Sequence, residues 1–197
     1  MAREIGCYQR PRRPDAWSPD GRFLVFEEAE GEGNIAAARR DLGLLPIGEA
    51  PHPLLVTRFY ERGAVFSRDG RWLAFVTDES GRAEVYVQPF PGPGSKVPIS
   101  NNGGLQPMWS RDGRELFYRE ADWMMAVSIK LDPFRVEAPR KLFEFPGTTY
   151  NFDQNFADYD LAPDGRFLAI QADTAAVDEI HVVVNWTEEL KRLVPTN

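Results

Sequence analysis

Short runs of apolar and aromatic residues alternate along the chain with polar turns that contain an Asp-Gly pair. The segment WSPDGRFLVF at residues 17–26 places such a turn between two apolar runs. Almost the same ten residues return as FSRDGRWLAF at 66–75 and WSRDGRELFY at 109–118, and in weaker form as LAPDGRFLAI at 161–170. Apolar, β-branched and aromatic residues on both sides of a glycine-containing turn are typical of a β-hairpin. Each copy therefore predicts two strands and the turn that joins them.

The residues of each turn have separate structural roles. In Ser18-Pro19-Asp20-Gly21, proline fixes φ at the second turn position and aspartate can hydrogen-bond its own backbone. Glycine takes the left-handed conformation that ends the turn. The Asp-Gly pairs are predicted to be structural turns and not EF-hand calcium loops, whose further oxygen ligands none of the copies supplies. The turn residues are Asp20, Gly21, Asp69, Gly70, Asp112, Gly113, Asp164 and Gly165.

The spacing of the copies predicts the fold. The four Asp-Gly pairs lie 49, 43 and 52 residues apart, and strand-rich repeats of about 40 to 50 residues are typical of propeller blades. Third strands are expected at residues 41–47, 83–90, 124–130 and 179–186, and fourth strands at 54–57, 97–100 and 141–145. Four antiparallel strands per repeat make one blade of a β-propeller.

The sequence thus predicts an all-β protein, a β-propeller of about four four-stranded antiparallel blades that form a partial propeller. A single domain is expected over residues 1–197, with blades at approximately 13–57, 62–100, 105–145 and 156–193. The last blade ends in the segment TEELKRLVPTN and is expected to be open. Alternatively, a strand near residues 5–9 completes the last blade and closes the ring within one chain.

Composition limits the class of function. The chain has 197 residues, of which 43% are apolar and 27% charged, as in ordinary soluble globular proteins. Its formal net charge of −7 and its scattered arginines disfavour a phosphate backbone, so no nucleic-acid partner is expected. The single cysteine, Cys7, excludes an internal disulfide framework and a cysteine-rich zinc site.

The hydropathy pattern bears on location. No apolar run approaches the roughly 18 residues of a membrane helix, and the N-terminal segment lacks the apolar core of a signal peptide. The sequence therefore predicts no membrane insertion and a cytoplasmic location for the chain as written. An extracytoplasmic location is expected if the sequence is a fragment of a longer, membrane-anchored chain.

The repeats resemble the TolB-like, WD-repeat-like β-propeller family over roughly residues 16–192. More narrowly, the run from FSRDGRWLAF at 66–75 to WSRDGRELFY at 109–118 is similar to the C-terminal propeller of bacterial transmembrane serine/threonine protein kinases. The ending HVVVNWTEELK is also similar to the way such chains finish. The resemblance implies a sensor or interaction role with a protein or peptide ligand. It does not define an activity, because many unrelated functions share this scaffold.

Motifs for catalysis are absent from the sequence. We find no glycine-rich loop followed by a strand lysine, no H-R-D and no D-F-G of a kinase, and no G-x-S-x-G of a serine hydrolase. The two histidines, His52 and His181, have neither a metal-ligand spacing nor a neighbouring nucleophile. No catalytic residue, no metal site and no cofactor are therefore predicted. The aromatic residues that open three of the copies, Trp17, Phe66 and Trp109, are predicted to pack between adjacent blades.

Three functions from different classes remain as interpretations. In the first, loops on a rigid scaffold bind a protein, peptide or small ligand at the central channel. The residues expected there are Arg12, Arg13, Asp15, Tyr60, Glu61, Arg62, Asn101, Asn102, Gln106, Asn155 and Asp158. The second is a lactonase-like hydrolase that holds calcium with Asn101, Asn102, Asp153, Asn155 and Asp158. The third is an assembly unit in which a homodimer completes the propeller through its exposed terminal blades.

Overall fold

A computed structural model describes residues 10–29, 39–92, 94–144 and 157–169 of the chain. All regular secondary structure in these residues is β-strand, in fifteen strands. No helix among them has the length and apolar character needed to cross a membrane. The predicted strands at 5–9 and 179–186 and the C-terminal segment lie outside the described residues.

The strands form successive antiparallel sheets, each made from consecutive segments of the chain. The first blade contains β1 (Arg12–Trp17), β2 (Phe23–Ala29), β3 (Arg40–Pro46) and β4 (His52–Leu55). The second contains β5 (Glu61–Phe66), β6 (Trp72–Thr77), β7 (Glu84–Pro89) and β8 (Val97–Pro98). The third contains β9 (Leu105–Trp109), β10 (Glu115–Glu120), β11 (Trp123–Leu131), β12 (Phe134–Val136) and β13 (Arg140–Glu144). The described part of the fourth contains β14 (Tyr159–Leu161) and β15 (Phe167–Ala169).

This architecture confirms the predicted fold class of four-stranded antiparallel propeller blades. The sequence pattern did not predict β12, which pairs with the far end of β11 through Ile129 and Val136 while β13 pairs with the near end. The strand β11 is therefore long enough to hold two partners along one edge. The predicted fourth strands begin one or two residues later than the observed β4 and β13, as is usual for element boundaries.

Each blade presents alternate side chains to the blades on its two sides. Along β6, Leu73 and Phe75 join the apolar cluster shared with the first blade, whereas Ala74 and Val76 join the cluster shared with the third. All four side chains are almost completely buried. Successive side chains of a strand point to opposite faces, so a sheet between two others is apolar on both faces. The second blade is therefore the centre of the described core.

The aromatic residues that open the copies behave differently in successive blades. Phe66 and Trp109 are buried between blades, and the Trp109 indole N–H donates to the Val65 carbonyl of the preceding blade at 3.3 Å. Trp17 is 58% exposed, so the prediction that it packs between blades is wrong. It lies on the first described blade, where the described residues provide no preceding sheet to cover it.

The turn in each copy is held by one serine hydroxyl. Ser67 Oγ donates to Asp69 Oδ1 at 2.6 Å and accepts from the Trp72 N–H at 3.0 Å. Asp69 Oδ1 also accepts from the Arg71 N–H, and Gly70, at φ +69°, donates its N–H to the Ser67 carbonyl. The same bonds recur from Ser18 and from Ser110. A serine hydroxyl thus holds each of these three hairpin loops closed.

The fourth hairpin lacks this hydroxyl and pairs in a different register. Trp17, Phe66 and Trp109 pair with Leu24, Leu73 and Leu116 respectively, but the equivalent Leu161 pairs with Phe167 rather than with Leu168. Alanine stands at position 162 where the other copies have serine. A one-residue slip turns every side chain to the opposite face. Accordingly, Leu168 is 71% exposed while its equivalents Leu73 and Leu116 are fully buried.

Replacing Gly70 with alanine is expected to lower the free energy of unfolding by about 1 to 3 kcal/mol. The residue has φ +69°, which a side chain with a Cβ adopts only with strain. Gly70→Asn is the matched control, because asparagine tolerates the left-handed region better than alanine does. Chemical denaturation measures both variants. Equal stability of wild type and Gly70→Ala would contradict the turn geometry.

The variant Ala162→Ser is expected to shift the fourth hairpin into the register of the other three and to bury position 168. The new hydroxyl can accept from the backbone N–H of Phe167, as Ser67 does from Trp72. We would measure the reaction of Leu168→Cys with a thiol reagent in a Cys7→Ser background. The reaction should slow when Ala162→Ser is added and stay unchanged with Ala162→Gly, which adds no hydroxyl. An unchanged rate with serine would show that the hydroxyl does not set the register.

Candidate functional site

The first strands of the blades, β1, β5 and β9, lie side by side and define the central channel. Their N-terminal ends follow the loops that lead into each blade, and their C-terminal ends precede the Asp-Gly turns. We call these two sides of the channel the loop end and the motif end. Each of the three strands contains a bulge in its pairing with the second strand of its blade.

A cleft of about 650 Å³ opens at the motif end. Three successive blades contribute to it through the last residues of their first strands and the start of the following turns. Its lining residues are Ala16, Trp17, Pro19, Val65, Phe66, Ser67, Arg68, Trp109, Ser110 and Arg111. The walls therefore combine aromatic surface, serine hydroxyls and two arginines.

The second turn position orients the charged side chains of this motif-end cleft. The Arg68 Cβ lies close to Gly113 of the next blade: a Cβ placed on Gly113 would be 3.8 Å from it. The Pro19 Cδ lies in the same way 3.4 Å from a Cβ placed on Gly70 of the next blade. Arg111 donates from Nη2 to the Leu161 carbonyl of the following blade at 3.2 Å. The residue at this turn position thus lies across the gap to the next blade.

Sequence reasoning missed this cleft because its residues had structural interpretations. Trp17 occupies a motif position that predicts packing between blades, and the arginines belong to turns whose sequence indicates hairpin formation. One signal was present: the second turn position reads Pro, Arg, Arg, Pro in the four copies. Since Asp, Gly and Ser fix the turn, an exposed arginine at that position is not needed to form it.

A smaller cleft of about 380 Å³ lies at the loop end of the second blade. It brings together two of the predicted ligand-binding residues, Tyr60 and Arg62, with Asp78 and Arg82 among its other lining residues. The Tyr60 N–H donates to Asp78 Oδ1 at 2.9 Å. Asn101 is exposed nearby, its carbonyl accepting from Arg82 Nη2 at 2.9 Å. Asn102 is exposed beside it.

Other predicted site residues lie in a cluster of charges between the first and second blades. Glu27, 1% exposed, accepts from Arg13 Nη2 and Arg40 Nη1, each at 2.7 Å, and from the Gly63 N–H at 3.0 Å. Asp15 occupies the bulge of β1 and accepts from the Ala64 N–H of the next blade at 2.9 Å. Arg13 and Asp15 are thus committed to contacts between and within blades.

Burial and hydrogen bonding move the pKa values of Asp15 and Glu27 in opposite directions. Burial, together with the charge of Glu27, raises the pKa of Asp15 to about 8. Burial opposes ionisation of Glu27 as well, but hydrogen bonds from Arg40, the Gly63 N–H and Arg13 hold its pKa below the usual value. At neutral pH Glu27 therefore carries the negative charge and Asp15 is mainly protonated.

Glu61 and Arg12, also predicted to bind a ligand, have other contacts. Glu61 is 1% exposed and accepts from the Thr57 hydroxyl, and burial raises its pKa to about 7. Arg12 pairs with Glu28 at 3.2 Å and lies over the Phe26 ring, 4.8 Å from its centroid.

Gln106 and Asp158, two further predicted residues, lie at the interface of the third and fourth blades. Asp158 Oδ2 is 3.4 Å from both Gln106 Nε2 and Arg119 Nη1. Gln106 is buried and has φ +54°, and its carbonyl accepts from the Tyr159 hydroxyl at 2.6 Å. Asn155 and Asp153 lie outside the described residues.

The described residues do not form a metal centre from acidic or histidine ligands. Within 10–29, 39–92, 94–144 and 157–169, no three His, Cys, Asp or Glu side chains are grouped to hold an ion. The calcium site of the lactonase-like interpretation would also have used Asp153 and Asn155, which are not among these residues.

Comparisons with known proteins define the fold. No protein-family model matches the sequence, and no curated protein matches it. A candidate TolB from Agrobacterium tumefaciens is 21% identical with a TM-score of 0.53, over 81% of this chain and 57% of that one. A puromycin-hydrolyzing peptidase from Mycobacterium tuberculosis is 21% identical with a TM-score of 0.58, over 79% and 27% of the two chains. A candidate 6-phosphogluconolactonase from Bacteroides uniformis is 16% identical with a TM-score of 0.52, over 82% and 48%.

These likenesses show that the chain has a TolB-like β-propeller fold. The chain spans 57% or less of the length of each of these proteins, as expected of a partial propeller. The same fold occurs in a TolB and in proteins named as hydrolases, so the fold alone does not decide whether this chain is an enzyme.

Stability is expected to fall as the pH rises from 5 to 8. Asp15 releases its proton near 3.8 in the unfolded chain but near 8 in the folded one, and Glu61 shifts in the same direction, to about 7. Over this range the folded state binds more protons than the unfolded state, so raising the pH favours unfolding. Urea denaturation at several pH values measures the slope.

Asp15→Asn should make this decline shallower, because the amide keeps the shape of the side chain and does not ionise. Asp132→Asn, at an exposed aspartate, is the matched control and should leave the slope unchanged. Constant or rising stability of the wild type between pH 5 and 8 would refute the assigned protonation of Asp15.

Proposed function

We propose that this chain is a non-catalytic recognition module whose motif-end cleft binds a protein or peptide segment. The observation that supports this most directly is that three successive blades place aromatic side chains and two arginines, Arg68 and Arg111, around one cleft with Trp17 at its edge. The equivalent Phe66 and Trp109 are buried by their blades. Tryptophan is enriched among the residues that dominate binding energy at interfaces, and an exposed indole beside a cleft is a ready anchor point.

Hydrogen bonds and burial hold several side chains of the cleft in place without a partner. Ser67 and Ser110, which line it, are each bonded to a turn aspartate and to a backbone N–H. The Trp109 ring is fixed by burial and by its bond to Val65. A preformed site loses less conformational entropy on binding than a flexible one does. The geometry therefore favours capture of a short segment on a fixed surface.

The same bonds argue against hydrolysis at this cleft. A serine nucleophile needs a histidine or other base within hydrogen-bond reach, whereas Ser67 and Ser110 donate to aspartates that belong to their own turns. His52, the histidine among the described residues, lies on β4 at the outer edge of the first blade. Recognition without catalysis is the function that these contacts support best.

More specifically, we propose that the module acts as a sensor, as the resemblance to kinase-associated propellers implies. The resemblance of residues 66–118 to such regions supports it. In that setting the propeller lies outside the cytoplasm and its ligand is extracytoplasmic. Homodimerisation through terminal blades remains a prediction of the sequence and is not needed for the proposed binding.

Selection from a random dodecapeptide library displayed on phage tests the recognition role. Peptides enriched on the wild-type chain are expected to bind Trp17→Ser at least about tenfold more weakly, since removing an anchoring tryptophan commonly costs that much affinity. Biolayer interferometry with the synthetic peptides gives the dissociation constants.

Val56→Ser is the matched control for this experiment. Val56 is 57% exposed, almost the same as Trp17, and does not line the cleft. It should bind the selected peptides as the wild type does. Failure to enrich any peptide, or equal binding to Trp17→Ser and wild type, would overturn the proposed function.

A further inference from the structure

The charged side chains that the described residues contribute to the motif-end cleft are all positive. Among the described residues that line it, Arg68 and Arg111 are the charged ones, and both are exposed. No aspartate or glutamate is among its lining residues in the described part of the chain. This differs from the whole protein, whose net charge is −7. The cleft is thus a cationic site on an acidic molecule.

The carboxylates nearest in sequence are already engaged in the turns. Asp69 accepts from the Ser67 hydroxyl, the Arg71 N–H and the Arg71 side chain, where Nε donates at 2.8 Å. Asp112 accepts from the Ser110 hydroxyl at 2.7 Å and from the Arg114 N–H at 3.1 Å. The turn aspartates are therefore bound to partners other than the arginines of the cleft.

Arg68 and Arg111 keep donor capacity for a ligand. Within residues 10–29, 39–92, 94–144 and 157–169, no hydrogen bond or ion pair engages the Arg68 guanidinium. Arg111 uses Nη2 for the Leu161 carbonyl, and a guanidinium has five N–H donors in all. Two parallel N–H donors match the two oxygens of a carboxylate.

We infer that the motif-end cleft takes an acidic peptide segment, with Asp or Glu carboxylates paired to Arg68 and Arg111 and an apolar side chain against Trp17. This inference rests on the proposed function and names the class of partner. The exposed indole supplies the apolar contact, and the two arginines supply the charge complement. Complementary charge contributes specificity and a faster association rate.

A peptide fits this site better than a nucleic acid. Binding a phosphate backbone usually needs several cations in a stripe, whereas the described residues supply this cleft with two. A peptide can place its carboxylates singly, with apolar residues between them.

The test uses two fluorescein-labelled dodecapeptides, one alternating Glu and Leu and the other alternating Gln and Leu, with fluorescence anisotropy as the readout. The glutamate peptide is expected to bind at least about tenfold more tightly, and its affinity should fall as NaCl is raised. Arg68→Gln should weaken it about fivefold, the loss expected for an exposed charge pair.

Arg114→Gln is the matched control, with the same change of charge at the same end of the propeller. Arg114 is exposed and does not line the cleft, so this variant should bind as the wild type does. Arg111 is left intact because it also bonds to the fourth blade.

The inference is overturned if neither dodecapeptide binds, if both bind equally, or if Arg68→Gln and Arg114→Gln lose the same affinity. Tighter binding of a labelled (dT)12 oligonucleotide than of the glutamate peptide would overturn it too. The library selection distinguishes failure of the recognition role from failure of the acidic-partner inference. Selected peptides that depend on Trp17 but contain no acidic residues would leave the recognition role in place and remove the acidic partner.

Discussion

Burial of both faces of a sheet is the constraint on which this structure depends. Leu73 and Phe75 on one face of β6, and Ala74 and Val76 on the other, are nearly inaccessible because a blade packs on each side. Burying an aliphatic or aromatic side chain stabilises a fold by about 1.5 to 3 kcal/mol. A blade by itself would leave both of these faces in water, so each blade depends on its neighbours.

The channel-facing strands have a second requirement, which is to satisfy polar groups where the blades converge. A bulge leaves backbone N–H groups unpaired in the ladder, and the structure supplies acceptors from the adjacent blade. Glu27 accepts from Gly63 of the next blade, and Asp15 accepts from Ala64. At the corresponding place between the third and fourth blades, Arg119 meets Asp158. Charged residues near the channel thus hold adjacent blades together through hydrogen bonds and ion pairs.

The sequence predicted the fold well because the signals for it are local, while most of the candidate site depends on neighbours that a sequence pattern does not reveal. Alternating apolar residues and a Ser-x-Asp-Gly turn specify a hairpin within about ten residues. The burial of Glu61 and the exposure of Trp17 are decided by which blade packs beside them. The different register of the fourth hairpin, where alanine at position 162 replaces the serine of the other copies, and the exposure of Leu168 likewise appear only in the pairing.

Separation of structural and variable positions explains how one turn can serve both folding and recognition. Serine, aspartate and glycine make the bonds that close each loop, as Ser67, Asp69 and Gly70 do. The residue between the serine and the aspartate contributes no side-chain bond to that closure, and its side chain lies toward the channel and the next blade, as Arg68 and Arg111 show. Substitution at this position can therefore change the charge of the cleft while the hairpin is preserved. Proteins of this fold with different functions can arise in this way, because the scaffold fixes where the variable side chains stand and not what they bind.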